Sequence, residues 1–214
     1  ELMTPLSILI TSLEGLNKGV GEPHALYSVM TVNAARLMRL IQQILEFRKA
    51  ESGNLKLGVS QGDIAAFIRK CSEAFTPLVT KRALHFSFEA SPSSIRGWFD
   101  PDKVDKIIYN LLSNAAKYTP ADGRIGITLT RLDNEVEIEV ANSGELMSRE
   151  AIDNLFKRFY DGKYRKFHTI GTGIGLSLVK DLVTIHKGRI AVTSCAERGN
   201  CFHITLPILR TSYD

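Results

Sequence analysis

The chain has 214 residues, enough for one large domain or two small ones. Its 44% hydrophobic and 23% charged residues are typical of a globular protein, and no apolar run reaches the roughly 18 residues of a membrane-spanning helix. The net charge of +4 is mild, and the basic residues cluster mainly between Lys157 and Lys166, which argues against a nucleic-acid-binding surface. Cys71, Cys195 and Cys201 lack metal-binding spacing, which indicates reduced thiols.

Residues 1–52 predict two helices. The first has an apolar stripe at helical spacing and ends at the Gly19, Gly21 and Pro23 cluster. The second has a heptad seam whose steps alternate between four and three residues: Leu26, Met30, Asn33, Leu37, Leu40, Ile44 and Phe47. A hairpin with two such seams cannot bury both against itself, so we expect either a dimeric four-helix bundle or packing onto the rest of the chain. Ser52 to Asn54 then resemble a hinge.

The remainder of the chain mixes helices and strands. Asp63, Asp100 with Pro101, and Ser148 are suited to start helices, and Gly188 is suited to stop one. Helices are therefore predicted over 63–81, 100–117, 148–156 and from the GTGIGL segment at 171–176 to about 187. Strands are predicted at 55–59, 84–88, 125–130, 136–140, 189–195 and 201–207. The fold class is therefore α+β, with helices over one face of a mixed sheet.

Two segments carry the residues that suggest chemistry. Asn110 and Asn114 lie four apart on a predicted helix, so they share one face, and an amide oxygen is a suitable ligand for Mg²⁺ bridging nucleotide phosphates. Lys117 follows on the same side and is suited to meet phosphate, while Tyr118 is suited to stack on a base. The GTGIGL segment brings backbone N–H groups to the start of a helix, where anions bind, but it matches neither the dinucleotide nor the P-loop pattern.

Taken together and in order, these segments resemble a known family. NLLSNAAKYT, VANSG at 140–144, FKRFY at 156–160, GTGIGL and a final strand ending in LP are similar to the histidine-kinase branch of the gyrase and heat-shock ATPase superfamily. ELMTPLSILI resembles the segment after the phosphoacceptor of bacterial sensor histidine kinases, and FRKAESGNLKL resembles hybrid two-component sensors. The resemblance implies a dimerising hairpin over 1–53 and a two-layer α/β ATP-binding domain over 54–214.

The resemblance also implies a role for individual positions. The phosphoacceptor histidine would directly precede Glu1, which would help activate it, and Thr4 would orient water for dephosphorylation of a response regulator. Asn110 would act in catalysis and ATP binding, and Asn114 would ligate Mg²⁺. The ATP-binding residues implied in full are Asn110, Asn114, Lys117, Tyr118, Asn142, Gly144, Arg158, Gly171, Thr172, Gly173, Gly175 and Leu176.

The same resemblance implies the cofactors and partners. ATP and Mg²⁺ would be the cofactors, and ATP-dependent autophosphorylation on histidine would precede transfer to a receiver-domain aspartate, in a separate protein or in the same chain. We expect a homodimer, no nucleic-acid partner, and a cytoplasmic segment of an inner-membrane sensor whose spans lie in a missing N-terminal part.

Three positions depart from the family pattern. Asn142 replaces the aspartate that accepts a hydrogen bond from the adenine amino group, and Leu146 replaces the second glycine of that turn. Asp161 stands where an arginine is common, so Arg158, Lys163 or Arg165 would substitute. These departures leave open an alternative function, a degenerate kinase core that dimerises and relays signals with weak or lost ATP binding.

Overall fold

The structure is a computed structural model that describes residues 2–53, 55–158 and 173–213. The helices are α1 (Met3–Asn17), α2 (Pro23–Glu51), α3 (Ile64–Glu73), α4 (Thr76–Lys81), α5 (Pro101–Tyr118), α6 (Arg149–Asn154) and α7 (Gly175–Ile185). The strands are β1 (Ser60–Asp63), β2 (His85–Ser91), β3 (Arg96–Phe99), β4 (Arg124–Leu132), β5 (Glu135–Asn142), β6 (Arg189–Cys195) and β7 (Gly199–Pro207).

A mixed sheet with the strand order β2-β4-β5-β7-β6 forms one layer of the C-terminal unit. β2 runs parallel to β4, and the other neighbours pair antiparallel, with Val140 of β5 opposite both Ile127 and Phe202. These apolar residues face α3, α5 and α7 and form one core with them, while Glu139 and His203 lie on the other face. The predicted α+β architecture of helices over a mixed sheet is confirmed.

The first two helices form a hairpin around a turn in which Gly19 and Gly21 adopt positive φ values of 66° and 90°. The predicted seam of α2 is its more buried face, and Asn33 in that seam donates from Nδ2 to the Val29 carbonyl of its own helix (2.8 Å). Within the described residues, no helix has the length and hydropathy needed to cross a bilayer.

The C-terminal end of α2 extends past α1 and packs against α5 and α7. Phe47 is buried there, and its neighbour Glu46 reaches lysines of α5. Packing of the hairpin onto the rest of the chain is therefore correct for this end of α2. Elsewhere the hairpin leaves large apolar side chains exposed, including Met3, Leu6, Ile10, Leu13, Tyr27, Val32, Met38, Ile41 and Leu45.

The segment between the hairpin and the core differs from the sequence prediction. Residues 55–59 form no strand, because the pairing of β1 with β3 ends where Ser60 lies opposite Phe99 and the next residue, Asp100, caps α5. Leu55 and Leu57 are still half-buried while the residues that follow them are exposed. The alternation therefore predicted burial correctly but not a hydrogen-bonded ladder.

One further helix prediction is wrong. The helix predicted over 63–81 is two helices, since Pro77 lacks an N–H and its ring would meet the carbonyl of residue 73 in a continuous helix. The predicted stop of α7 at Gly188 is confirmed: Lys187 adopts the left-handed conformation (φ 58°), and the Gly188 N–H donates to the Val183 carbonyl (2.9 Å). Glycine is also needed here for packing, because a Cβ would lie 2.4 Å from the Thr205 carbonyl oxygen.

Candidate functional site

The helix that carries the two asparagines is fixed at its start by Asp100. Oδ1 of this buried carboxylate accepts from the Lys103 backbone N–H (3.1 Å), and Oδ2 accepts from the Gly58 N–H (2.6 Å). Pro101 follows at the first helical position, as the sequence predicted. The apolar face of α5 then enters the core through Ile107, Ile108, Leu111 and Leu112, so the opposite face is directed toward α7 and α2.

Asn110 and the glycine segment lie directly against each other. A Cβ built on Gly175, the first residue of α7, would lie 2.8 Å from Asn110 Oδ1. Only glycine allows the helix start to approach the amide this closely. The asparagine helix and the start of α7 are therefore adjacent at Gly175, while Gly171 and Thr172 lie outside the described residues.

Both ends of the Asn110 amide are hydrogen-bonded within the protein. Its Oδ1 accepts from Gln43 Nε2 of α2 (2.8 Å), and its Nδ2 donates to the Lys106 carbonyl (2.7 Å). The side chain is 6% exposed. Sequence reasoning gave no role to Gln43, because a glutamine on a heptad helix gives no signal of what it touches.

The glycine segment leads into α7 through a left-handed residue. Gly173 has φ 64°, a value that favours glycine, and Ile174 behind it is buried. Ser177 Oγ donates to the Ile174 carbonyl (2.9 Å), and Leu176 packs against the core. The first residues of α7 therefore present backbone rather than bulky side chains beside Asn110.

The other end of α5 holds Asn114, Lys117 and Tyr118. Asn114 is half-buried one turn beyond Asn110, and Tyr118 is 40% exposed. Lys117 Nζ lies 5.0 Å from the centre of the Tyr118 ring, within cation–π range. Arg82 donates to the Ala116 and Thr119 carbonyls and closes this helix end. A cation and an aromatic face thus lie side by side at the surface.

Asn142, at the end of β5, is packed against the residue that follows α5. Its Nδ2 donates to Thr119 Oγ1 (3.2 Å), and Thr119 Oγ1 donates to the Ala115 carbonyl (2.6 Å). A Cβ on Gly144 would lie 2.6 Å from the Tyr118 carbonyl oxygen and 2.7 Å from Asn142 Nδ2. Gly144 is therefore required for close packing here, and Thr119 is a site residue that sequence reasoning missed.

The turn after Asn142 is supported by hydrogen bonds from the strand edge. Asn200 Nδ2 donates to the Glu145 carbonyl (2.9 Å), Ser194 Oγ donates to Asn200 Oδ1 (2.7 Å), and the Met147 N–H donates to Ser194 Oγ (2.9 Å). Leu146, in place of the family's second glycine, is 45% exposed and needs no core space. The altered turn is thus built without strain from that side chain.

Arg158 contacts the end of α2 in this structure. Its guanidinium lies 2.8 Å from Glu51 Oε1 and 4.8 Å from the centre of the Phe47 ring. Burial raises the pKa of the nearby Asp181 carboxyl, although the charges of Arg158 and Lys180 oppose the rise. Asp161, Lys163 and Arg165 lie outside the described residues, so the substitution of the missing arginine by Arg158, Lys163 or Arg165 stays a prediction.

A charge cluster joins α2 to α5 beside Asn110. Glu46 lies 3.0 Å from Lys106 Nζ and 3.6 Å from Lys103 Nζ, and Asp102 lies 2.8 Å and 2.7 Å from the same two atoms. Burial opposes the charge on Lys103, but the hydrogen bond to Asp102 and the charge of Glu46 outweigh it and raise its pKa. Burial likewise acts against ionised Asp102, yet both lysines lower its pKa. The cluster therefore favours the charged forms of Lys103 and Asp102 where α2 packs on α5.

Two further catalytic residues, Glu1 and Thr4, are implied at the N-terminal end of the sequence. Thr4 lies in the first turn of α1 and is exposed, and Glu1 lies outside the described residues. Their roles stay predictions.

The fold and this site define an ATPase unit joined to a helical hairpin. Residues 99–210 match the family described as Histidine kinase-, DNA gyrase B-, and HSP90-like ATPase. The chain belongs to this family, and the sequence relatives that it matches are histidine kinases. The chemistry of the matching side chains fits a nucleotide, since Asn114 offers an amide oxygen to Mg²⁺ and Lys117 lies beside the exposed Tyr118 ring.

The relatives in sequence are kinases of greater length. A histidine kinase of Formosa agariphila is 29% identical over 98% of this chain but 16% of its own length. The sensor histidine kinase CusS of Escherichia coli is 32% identical over 97% of this chain and 43% of its own length. The chain thus spans less than half of either protein.

Solved structures share the fold. Acinetobacter baumannii histidine kinase AdeS has a TM-score of 0.74 at 23% identity, with 97% of both chains covered. The catalytic domain of histidine kinase ThkA has a TM-score of 0.65 at 24% identity, covering 73% of this chain and 99% of that domain. ThkA in complex with the response regulator protein TrrA has a TM-score of 0.66 at 23% identity, covering 97% of this chain and 59% of ThkA.

Proposed function

We propose that this chain is the core of a sensor histidine kinase that binds Mg²⁺–ATP beside α5 and transfers the γ-phosphoryl group to a histidine, then to an aspartate of a response regulator. The approach of Gly175 to Asn110 is the observation that carries this proposal. It brings an amide-bearing helix and the start of a glycine-led helix together, the pairing needed to hold phosphates and their metal ion. Phosphoryl transfer depends mostly on such positioning and charge neutralisation.

The proposed nucleotide contacts follow the length of α5. Asn114, half-buried and one turn from Asn110, is the proposed Mg²⁺ ligand, and its neutral oxygen suits a hard cation. Lys117 is proposed to meet phosphate and Tyr118 to stack on the base, which is supported by the exposed ring of Tyr118 and the half-buried lysine beside it. The proposed ATP-binding set is completed by Arg158, Gly171, Thr172, Gly173 and Leu176. Gly144 and Asn142 are proposed to lie beside the adenine base.

The hairpin is proposed to form a homodimer through residues 1–53. Its exposed apolar side chains lie on both helices, with Leu6 and Leu13 on α1 and Met38, Ile41 and Leu45 on α2. A soluble protein rarely leaves an apolar surface of this extent uncovered, and a second hairpin would bury it in a four-helix bundle. Glu1 is proposed to serve the phosphoacceptor, and Thr4, in the first turn of α1, is proposed to serve the receiver domain.

The partner is proposed to be a receiver domain, in a separate protein or in the same chain. The ThkA structure with its response regulator supports the first arrangement by likeness of fold. The similarity of FRKAESGNLKL to hybrid sensors favours the second. We propose a cytoplasmic position for this segment within an inner-membrane sensor.

A second function, a dimeric relay with weak or lost ATP binding, is favoured by particular contacts. Gln43 already bonds the Asn110 oxygen, and Glu51 pairs with Arg158. Asn142 also lacks the charge that would strengthen a hydrogen bond from the base. We therefore expect weak ATP affinity, with a dissociation constant above the low-micromolar range in calorimetric titration.

The decisive experiment uses the protein extended upstream of Glu1, incubated with γ-labelled ATP and Mg²⁺. Acid-labile, base-stable label is expected on the wild type and should be lost in Asn114→Ala. Asn134→Ala is the matched control, because Asn134 is exposed in the turn between β4 and β5. Absence of label together with absence of nucleotide binding would refute the kinase proposal and support the relay.

A further inference from the structure

The orientation of the Asn142 amide is fixed by Thr119. Thr119 Oγ1 lies 2.6 Å from the Ala115 carbonyl oxygen and 3.2 Å from Asn142 Nδ2. A hydroxyl has one proton, and the shorter distance is that of an O–H···O hydrogen bond, so the proton points at Ala115. Toward Asn142, Thr119 can then only accept. The nitrogen of the amide must face Thr119.

A reversed amide would meet two penalties. Its oxygen would face the lone pairs of Thr119 Oγ1, and the only donor of that hydroxyl is already committed to Ala115. Both residues are buried, with 1% exposure for Thr119 and 6% for Asn142, so water would not readily replace the lost bond.

The fixed amide leaves Asn142 Oδ1 as an acceptor. Among residues 2–53, 55–158 and 173–213, no group donates a hydrogen bond to that oxygen. A carboxylate at this position accepts whichever way it is turned, whereas an amide accepts or donates according to its orientation. The neighbour that orients the amide therefore decides whether Asn142 accepts a hydrogen bond on this side or donates one.

We propose that Thr119 is a positioning residue that makes Asn142 select adenine over guanine nucleotides, an inference that rests on the proposed nucleotide site. Adenine carries an amino donor where guanine carries a carbonyl acceptor. When Asn142 Oδ1 is held toward the base, it accepts a hydrogen bond from the adenine amino group. Toward guanine, the same oxygen would face the carbonyl oxygen with no proton between them. Discrimination arises from this mismatch as much as from the favourable bond.

The test compares binding of non-hydrolysable ATP and GTP analogues to the chain by calorimetry, with Mg²⁺ present. The wild type is expected to prefer the ATP analogue. Thr119→Val removes the hydroxyl at nearly constant shape, frees the amide to turn, and is expected to reduce the ATP-to-GTP affinity ratio about tenfold, the effect of one hydrogen bond. Thr119→Ser keeps the hydroxyl and should retain the ratio.

The background variant Asn142→Asp separates positioning from a general structural effect. A carboxylate accepts in either orientation, so Thr119→Val should leave the ratio unchanged in that background. Circular dichroism checks folding, and Thr119→Ala, which adds no bulk, replaces Thr119→Val if the latter unfolds. Equal wild-type binding of both analogues, or an unchanged ratio in a folded Thr119 variant, overturns this inference alone; binding of neither overturns the nucleotide site as well.

Discussion

Replacing Glu46 with glutamine tests whether the charge cluster holds α2 against the ATPase unit. The substitution keeps the shape of the side chain and removes its charge beside Lys103 and Lys106. All three side chains are mostly buried, with 10% exposure for Glu46, 11% for Lys103 and 26% for Lys106. The lysines would keep Asp102, but that carboxylate is 61% exposed and its charge is better screened.

The expected loss follows from these distances. At an effective dielectric constant of about 20, each attraction of Glu46 to a lysine 3.0 or 3.6 Å away is about 5 kcal/mol before the cost of desolvation. Breaking a buried pair by removing one partner costs about 3–5 kcal/mol in other proteins. Because Asp102 remains and Lys106 is partly exposed, we expect Glu46→Gln to lower the free energy of unfolding by about 2–3 kcal/mol.

Urea denaturation measures this loss, and a cycle with Lys106→Met assigns it to the pair. The coupling energy between the two substitutions should be about 1–2 kcal/mol. Glu14→Gln is the control, since Glu14 is exposed on α1 and makes no ion pair within the described residues. A Glu46→Gln protein as stable as the control, or additive effects in the cycle, would show that the cluster does not hold the junction.

Two further substitutions test the packing at the ends of strands and helices. Gly199→Ala should destabilise the fold by more than about 2 kcal/mol, because φ is 76° and the new Cβ would lie 2.3 Å from the Asn142 carbonyl oxygen. Gly53→Ala has a similar φ of 68° but meets nothing within 4 Å, so it should cost only about 1 kcal/mol in thermal or urea unfolding, and equal losses would disprove the contact argument. Burial lowers the pKa of His186 below 6.5, so on acidification the unfolded chain binds a proton more readily than the folded protein does. The free energy of unfolding should therefore fall as the pH drops below 6.5, by at most about 1.4 kcal/mol per pH unit. Asp100, Lys103 and Tyr213 surround this ring, and His186→Phe should remove its share of the slope; identical pH profiles of the two proteins would contradict the assignment.

Local signals in the sequence predicted the elements that hold the site. The pair Asp100 and Pro101 gave the start of α5, and the spacing of four between Asn110 and Asn114 gave their shared face. The glycine segment predicted a helix start, and α7 begins at Gly175. Each of these properties depends on residues within one turn of each other, so it can be predicted from the sequence alone.

The remaining features depend on partners that are distant in the chain. Gln43 reaches Asn110 across 67 positions, and Thr119 reaches Asn142 across 23, so neither contact has a local signature. The strand β3 was missed because four residues give too short an alternation to detect. Gly188 ends α7 as predicted, but its close approach to the Thr205 carbonyl depends on a strand that follows in the chain and has no local signal.

The carboxylate of Asp100 ties the backbone between the hairpin and the sheet to the start of α5. One of its oxygens accepts from the first turn of α5 and the other from the Gly58 amide, so a shift of the backbone at Gly58 would break one of these two bonds. The hairpin side of the chain is therefore attached to α5 in two ways, through side chains of α2 and through this main-chain bond. The main-chain bond is at the start of α5, whereas the bond from Gln43 is at Asn110 near the middle of that helix.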